Sequence, residues 1–186
     1  EDVEEKEVDQ AAIKGGYKKR QSLLASRNGY LQFINFDSLL GFAAEFDILL
    51  QLHFRPGDYI VKDVELGIIY SNDIIAEDAV IRMQNQFTVG KNRSQQQDAE
   101  HSIHQMVEIA ARALSPGIND PYMAITCIDN LTATMCYLAT TKFPSKYLHD
   151  KEGKLRIIAD PLTYEGMLDA AFNQIRQYAK GNPAVI

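Results

Sequence analysis

The sequence contains little cysteine, since its 186 residues include only Cys127 and Cys136. These two residues are nine positions apart on one predicted helix, which would place them on opposite faces about 13 Å apart. A disulfide requires Cα atoms less than about 7 Å apart. We therefore predict two free core thiols, a pattern that fits a reducing compartment and a cytoplasmic location.

Positive charge is also scarce in this chain. The 19 Lys and Arg residues are outnumbered by 25 Asp and Glu residues, which gives a net charge of -6. A protein whose main partner is nucleic acid needs a basic face that displaces counterions from phosphates. The composition therefore predicts no nucleic-acid partner.

Long uncharged runs are absent as well. The longest one covers residues 130–141, whereas a helix that spans a membrane needs about 18 to 20 nearly uncharged residues. We predict no membrane-crossing helix in this chain. The opening EDVEEKEVDQ has no initiating Met and no signal-peptide pattern, so we expect a segment upstream of it.

The residues that are present have the composition of an ordinary globular protein, with 46% hydrophobic and 24% charged side chains. Their local patterns predict an α+β fold in three segments. Residues 1–28 are predicted to be a charged linker, residues 29–93 a β-rich module with short helices, and residues 94–186 a helical module. The helical module is expected to contain an αα-hairpin and a short β-hairpin.

A turn sequence, RPGD at residues 55–58, organises the β-rich module. Pro56 and Gly57 suit the two central positions of a type II turn, because Pro fixes φ and Gly adopts positive φ. The surrounding residues resemble the half-motif of lipoyl-like barrel-sandwich domains. Asp63 stands where that motif has Gly, and the chain has no hairpin lysine of the kind that carries lipoate or biotin. The resemblance therefore implies topology only, and we predict no cofactor.

Helix-capping signals organise the helical module. Ser94 and Gln97 form a predicted capping box, Asp120 is expected to cap the second helix ahead of Pro121, and Thr163 is expected to cap the last helix. The first two helices are separated by the short sequence SPGIND, residues 115–120. This spacing predicts two antiparallel helices joined by a tight loop.

The core ALSPGINDP is the most specific motif of the chain. Together with NGYLQFINFDSLL, RPGDYIV and six further positions, it resembles the signature of a family of predicted bacterial membrane proteins of unknown function. The resemblance implies a transmembrane region, absent here, in the bacterial cell membrane, followed by this soluble region. Met123 departs from the threonine expected at its position. The six further positions are Gly90, Arg93, Gln97, Asp98, Glu108 and Ala124.

Four polar residues are the predicted ligand-binding positions: Arg93, Asp98, Asn119 and Asp120. The start of the second helix can attract an anion through its free N–H groups, although the carboxylate of Asp120 would occupy the same place as a cap. A metal site formed by Asp98, His101, His104 and Glu108 is a weaker alternative, because these residues lie opposite the apolar stripe of the helix. No catalytic residue is predicted.

The leading functional hypothesis is a non-catalytic assembly or regulatory domain of a channel or transporter, acting through homo-oligomeric contacts and joined to its own transmembrane region. The alternative is a membrane-tethered enzyme with its site around the SPGIND loop, near Arg93 and Asp98. A third possibility is a small-ligand sensor in the β-rich module. An oligomer requires an apolar surface patch, whereas an enzyme requires a pocket in which polar side chains converge.

Overall fold

The computed structural model describes residues 10–182 and 184–185, and within them six helices and eight strands form an α+β structure, as predicted. The helices are α1 (Gln10–Gly15), α2 (Phe36–Glu45), α3 (Glu77–Gln84), α4 (Ala99–Ala113), α5 (Pro121–Leu138) and α6 (Tyr164–Tyr178). The strands are β1 (Lys19–Leu24), β2 (Gly29–Ile34), β3 (Leu49–Leu52), β4 (Tyr59–Ile60), β5 (Glu65–Ser71), β6 (Phe87–Gly90), β7 (Tyr147–His149) and β8 (Leu155–Ile158).

The chain divides into two compact units. The described part of unit 1 comprises residues 10–90 and 146–160, and unit 2 comprises residues 91–145 together with the described residues after 160. The predicted division at residues 93 and 94 placed residues 146–160 in the helical module. The structure differs at this point because β8 pairs with β3 of unit 1, a partner about a hundred residues away that no local pattern reveals.

Unit 1 contains two sheets that share one hydrophobic core. The five-stranded sheet has the order β1-β5-β3-β8-β7, in which β3 and β8 are parallel and the other neighbours are antiparallel. The three-stranded sheet has the order β4-β2-β6 and is antiparallel. Helices α2 and α3 contribute to the same core. Its fully buried residues include Leu23, Leu31, Ile34, Leu39, Ile60, Ile69, Met83 and Ile157.

The predicted linker over residues 1–28 differs from the structure where the structure describes it. Helix α1 is followed by strand β1, which pairs antiparallel with β5. Residues 1–9 lie outside the described residues. Leu23 is fully buried, and Ala25 is buried just after the strand. The exposed Lys19 and Arg20 lie on an edge strand, where charged side chains are usual. Their charge concealed the strand from sequence reasoning.

The RPGD turn forms with Gly57 at a φ of 102°, as predicted. It connects β3 to β4, which pair in different sheets. The antiparallel partner of β3 is β5, so the turn links two sheets and does not close a two-stranded hairpin. A β-turn reverses the chain but leaves the choice of the next partner to the core. Pairing with β2 buries Ile60.

Unit 2 is built from α4, α5 and α6, with α4 packed against both of the other helices. The αα-hairpin of α4 and α5 is confirmed, as are the caps at Asp120 and Thr163. Cys127 lies in the core, whereas Cys136 is exposed, so the prediction of two core thiols is wrong for Cys136. The two positions face opposite sides of α5, and only one side is covered within unit 2. The buried cluster consists of Ile103, Val107, Ala110, Cys127, Leu131, Met135, Met167, Ala171 and Ile175.

Adding a methyl group at two glycines of unit 1 is expected to have opposite effects on the free energy of unfolding. A Cβ on Gly67, in the middle of β5, would collide with the backbone oxygen of Gln51 on the neighbouring β3. A Cβ on Gly41, in the middle of α2, would meet no atom within 4 Å. The backbone of β3 cannot move aside as the end of a flexible side chain can. We therefore expect Gly67→Ala to lower the free energy of unfolding by about 1–3 kcal/mol.

Gly41→Ala is the matched control for this substitution, and it should raise the free energy of unfolding by about 0.5–1 kcal/mol because alanine favours helix over glycine. Urea denaturation followed by circular dichroism measures both effects. Equal effects of the two substitutions would contradict the close approach of β5 and β3 at Gly67.

Candidate functional site

Two of the predicted ligand-binding residues, Arg93 and Asp98, form a bidentate ion pair in unit 2. The Nε of Arg93 donates to Oδ2 of Asp98 at 2.7 Å, and Nη2 donates to Oδ1 at 2.9 Å. The Asp98 residue is only 2% exposed, whereas the Arg93 side chain is 24% exposed. Parallel N–H···O bonds to a buried carboxylate are among the stronger polar interactions in proteins.

Asp98 is also the N-cap of α4, because its Oδ1 accepts a hydrogen bond from the backbone N–H of His101 at 3.0 Å. The predicted capping box of Ser94 and Gln97 is therefore wrong, and the helix begins after Asp98. The carboxylate lies at the positive end of the helix dipole, where a negative charge is favourable. The same group therefore caps a helix and neutralises Arg93.

His104 extends this pair. Its Nδ1 lies 3.4 Å from Nη1 of Arg93. Because the guanidinium only donates, the contact is a hydrogen bond only when Nδ1 carries no proton. A doubly protonated His104 would instead place two cations side by side.

The other two predicted residues, Asn119 and Asp120, lie in the loop between α4 and α5. Asn119 has a positive φ of 49°, and its N–H donates to the oxygen of Ser115 at 2.8 Å. The N–H of Asp120 donates to the oxygen of Ala113 at 2.8 Å, and its Oδ1 accepts from the N–H of Met123 at 3.1 Å. These N–H groups, which an incoming anion would need, are bonded within the loop and the first turn of α5.

The four predicted residues therefore form two pairs at opposite ends of α4. This helix has 15 residues and a length of about 22 Å. Arg93 and Asp98 lie at its N-terminal end, and Asn119 and Asp120 follow its C-terminal end. The structure does not bring the two pairs together, so the arrangement that the enzyme hypothesis required, with Arg93 and Asp98 near the SPGIND loop, is not observed.

The alternative metal site is not assembled either. Within residues 10–182 and 184–185, no three His, Cys, Asp or Glu side chains are placed to hold a metal ion. The buried carboxylate of Asp98 is directed at Arg93, while Glu108 is exposed. A divalent metal would need these ligands to converge on one point.

A second polar cluster, which sequence reasoning missed, lies in unit 1 around the buried Arg156 of β8. Its Nε donates to Oδ2 of Asp150 at 2.7 Å, and its Nη1 donates to Oδ1 of Asp47 at 2.6 Å. Lys154 also contacts Asp47 at 2.5 Å. The single charged residue within the apolar strand LRII was the available signal, because a charge there must be paired.

Both carboxyl groups of this cluster have lowered pKa values. Hydrogen bonds from Lys154 and then Arg156 lower the pKa of Asp47, and the hydrogen bond from Arg156 is the largest cause for Asp150. Groups with lowered pKa values contribute stability above their unfolded-state pKa, and this contribution is lost as the pH falls through the folded-state pKa. The unfolded-state pKa of Asp is about 3.9.

We therefore expect Arg156→Gln to flatten the decline of stability between about pH 5 and pH 2, since both carboxyl groups then titrate closer to their ordinary pKa. Urea denaturation at a series of pH values measures this slope. Arg82→Gln is the control, because Arg82 stacks on the ring of Phe42 at 4.8 Å and no ion pair is observed for it among the described residues. Equal slopes in the two variants would contradict the expectation.

One side of α5 is exposed and nearly uncharged. The helix has a single charged residue, Asp129, among its 18 residues. It buries a narrow stripe of Ala124, Cys127, Leu131 and Met135. On the remaining surface, Tyr122 is 79% exposed and Tyr137 71% exposed. We call the surface formed by Tyr122, Met123, Thr126, Asp129, Ala133, Cys136 and Tyr137 the outer α5 face.

These observations define an α+β chain with two compact units, whose predicted signature residues Arg93, Asp98 and Asp120 fix the ends of helices. Comparison with known proteins gives the family. The chain matches the family described as Predicted membrane protein (DUF2254) over residues 1–186, and it belongs to this family. The resemblance inferred from the motif is confirmed, and the membership places the full-length protein at a membrane.

Uncharacterized mycobacterial proteins are among its relatives. One from Mycobacterium tuberculosis (strain CDC 1551 / Oshkosh) is 33% identical over 168 residues, which cover 88% of this chain and 32% of the relative. One from Mycobacterium bovis is 32% identical over the same shares of both chains. The chain thus spans about a third of the length of these relatives. None of the helices in the described part of the chain is sufficiently long and apolar to span a membrane.

Proposed function

We propose that this chain is a non-catalytic assembly domain of a bacterial membrane protein of the channel or transporter class, and that copies of it associate through the outer α5 face. The observation that carries the proposal is the exposure of Tyr122 and Tyr137 on a helix with one charged residue. Exposed large aromatic side chains on a nearly uncharged surface are typical of protein interfaces.

The charge distribution favours a second copy as the partner. The chain carries a net charge of -6, so two copies repel each other over most of their surfaces. In a two-fold interface each patch meets its own counterpart, and like charges are therefore brought together. The outer α5 face carries one charged residue, Asp129, whereas the exposed side of α4 carries both Glu108 and Arg112.

Sedimentation equilibrium of the chain, over a wide range of concentrations, tests the proposal. We expect reversible self-association in the wild type and a loss of association of at least about tenfold in Tyr137→Lys, because the ammonium would be desolvated at the interface. Tyr178→Lys is the matched control, since Tyr178 is 51% exposed on α6 and receives the same change of charge. A monomeric wild type, or equal weakening by both variants, would refute the proposal.

We also propose that the chain faces the cytoplasm, on the basis of the free thiols of Cys127 and Cys136. An exposed thiol such as Cys136 stays reduced in the cytoplasm and is prone to oxidation outside it. The Tyr137→Lys variant is used for this test, because the proposed association through the outer α5 face would otherwise cover Cys136. A membrane-impermeant maleimide added to intact cells that express this variant of the full-length protein should leave Cys136 unlabelled and should label it after lysis. Labelling of Cys136 in intact cells would refute this placement.

A further inference from the structure

A groove in unit 1 has the volume of a small-molecule site. Its volume is about 640 Å³, which lies within the range of about 300–1,000 Å³ that is usual for ligand pockets. One wall is a single face of α2, at Asp37, Leu40, Gly41 and Ala44. Another part of the lining is His149 at the end of β7 with residues 150–152 of the turn that follows, and Arg156 completes the lining.

The guanidinium of Arg156 has donors that the cluster does not use. Arg156 is only 5% exposed, and two of its five N–H groups bond to Asp150 and Asp47. No hydrogen bond of Nη2 to another described residue is observed. Among the described residues, no side-chain nitrogen or oxygen is both sealed from solvent and without a partner. Nη2 is therefore not fully sealed from solvent, and Arg156 is part of the groove lining.

The wall of the groove formed by α2 has no side chain at Gly41, a position where most helices have one. Glycine is disfavoured in the middle of a helix, and packing does not demand it here because a Cβ would meet no atom within 4 Å. Gly41 instead leaves the backbone of α2 accessible along the groove. Close approach of a ligand to a backbone is one of the uses of glycine.

The charges of the groove select the class of ligand. The positive charges of the lining are Lys151 and Arg156, and the negative charges are Asp37, Asp150 and Glu152. Arg156 is already paired with Asp150 and Asp47 through Nε and Nη1. A simple anion would meet the three carboxylates, and a simple cation would meet the guanidinium and the ammonium of Lys151. A molecule with both charges is complementary to both kinds of group.

We propose that this groove binds a small zwitterion, with its carboxylate on Nη2 of Arg156 and its ammonium group beside Asp37 and Glu152. Free α-amino acids are the chemical class that fits this description. The site lies wholly in unit 1, and it is independent of self-association through the outer α5 face in unit 2. It gives the β-rich unit the role of a ligand sensor within the assembly.

Nuclear magnetic resonance titration of the ¹⁵N-labelled chain tests the site directly. The probes are L-alanine, L-leucine, L-glutamate and L-lysine, with acetate and methylammonium at equal ionic strength as single-charge probes. We expect saturable shifts of the Arg156 Nε–H and Gly41 amide signals with at least one amino acid. The affinity for acetate and for methylammonium should be weaker by at least about tenfold. No saturable shift below about 50 mM, or an equal response to acetate, would overturn the proposal.

Gly41→Gln tests the location of the site, because its side chain enters the groove and leaves the bonds of Arg156 intact. We expect this variant to lose the saturable shift of the Arg156 Nε–H signal. Gly15→Gln is the matched control, since a Cβ on Gly15 of α1 also meets no atom within 4 Å. Binding of the amino acid by Gly41→Gln with wild-type affinity would overturn the assignment of the groove.

Discussion

Asp98→Ala is expected to lower the free energy of unfolding by about 3 kcal/mol, the sum of two losses. The first is the N-cap of α4, for which about 1 kcal/mol is usual. The second is the buried partner of Arg93, and breaking a buried ion pair typically costs about 3–5 kcal/mol. The second loss is reduced here because the Arg93 side chain is 24% exposed and can turn toward water.

Asp120→Ala is the matched control for this prediction, because Asp120 caps α5 with one hydrogen bond, to the N–H of Met123. Its loss should lower the free energy of unfolding by only about 1 kcal/mol. Asp98→Asn adds a further comparison, since the amide oxygen can still accept from His101 while the charge opposite Arg93 is removed. Urea denaturation at neutral pH measures all three variants. Equal losses in Asp98→Ala and Asp120→Ala would mean that Asp98 acts only as a cap.

The features that the sequence predicted correctly are local ones. The caps at Asp120 and Thr163, the positive φ of Gly57 and the αα-hairpin each depend on residues a few positions apart. Propensity and capping act over this range, so the α+β class could be inferred without any tertiary information.

The features that the sequence did not reveal are pairings between distant segments. The guanidinium of Arg156 bonds to Asp47, which is 109 residues away, and β8 finds its parallel partner in β3. Strand β1 was hidden by its own charges, although its core contact needs only Leu23. Such contacts form because they bury apolar surface across the whole unit. A short stretch of sequence does not show which distant segment it will pair with.

The candidate site residues illustrate the same limit. Arg93 and Asp98 were selected as polar residues of a family-like motif, and their ligand-binding role stays a prediction. Their mutual bonds, at 2.7 Å and 2.9 Å, give these two residues a structural task that the motif alone does not disclose. A ligand site and a helix terminus can both require charged groups in a fixed geometry. A sequence motif shows which residues act together, but it does not distinguish these two roles.

Leu131→Ala, on the buried side of α5, should lower the free energy of unfolding by about 3 kcal/mol. Leu131 is 3% exposed within the cluster of unit 2, and truncating such a side chain removes apolar contacts and leaves a cavity. Met123→Ala on the outer α5 face is the matched comparison, because Met123 is 49% exposed. We expect it to change the free energy of unfolding by less than about 0.5 kcal/mol in dilute solution.

Concentration distinguishes the two sides of α5, because association that buries the outer α5 face stabilises the folded chain by mass action. The effect of Leu131→Ala should be present in dilute and in concentrated solution, since its contacts lie within one copy. The effect of Met123→Ala should grow as the concentration rises above that at which copies associate. Thermal unfolding of both variants across these concentrations measures the difference. A Met123→Ala effect that does not depend on concentration would mean that this face is exposed in the folded protein at every concentration.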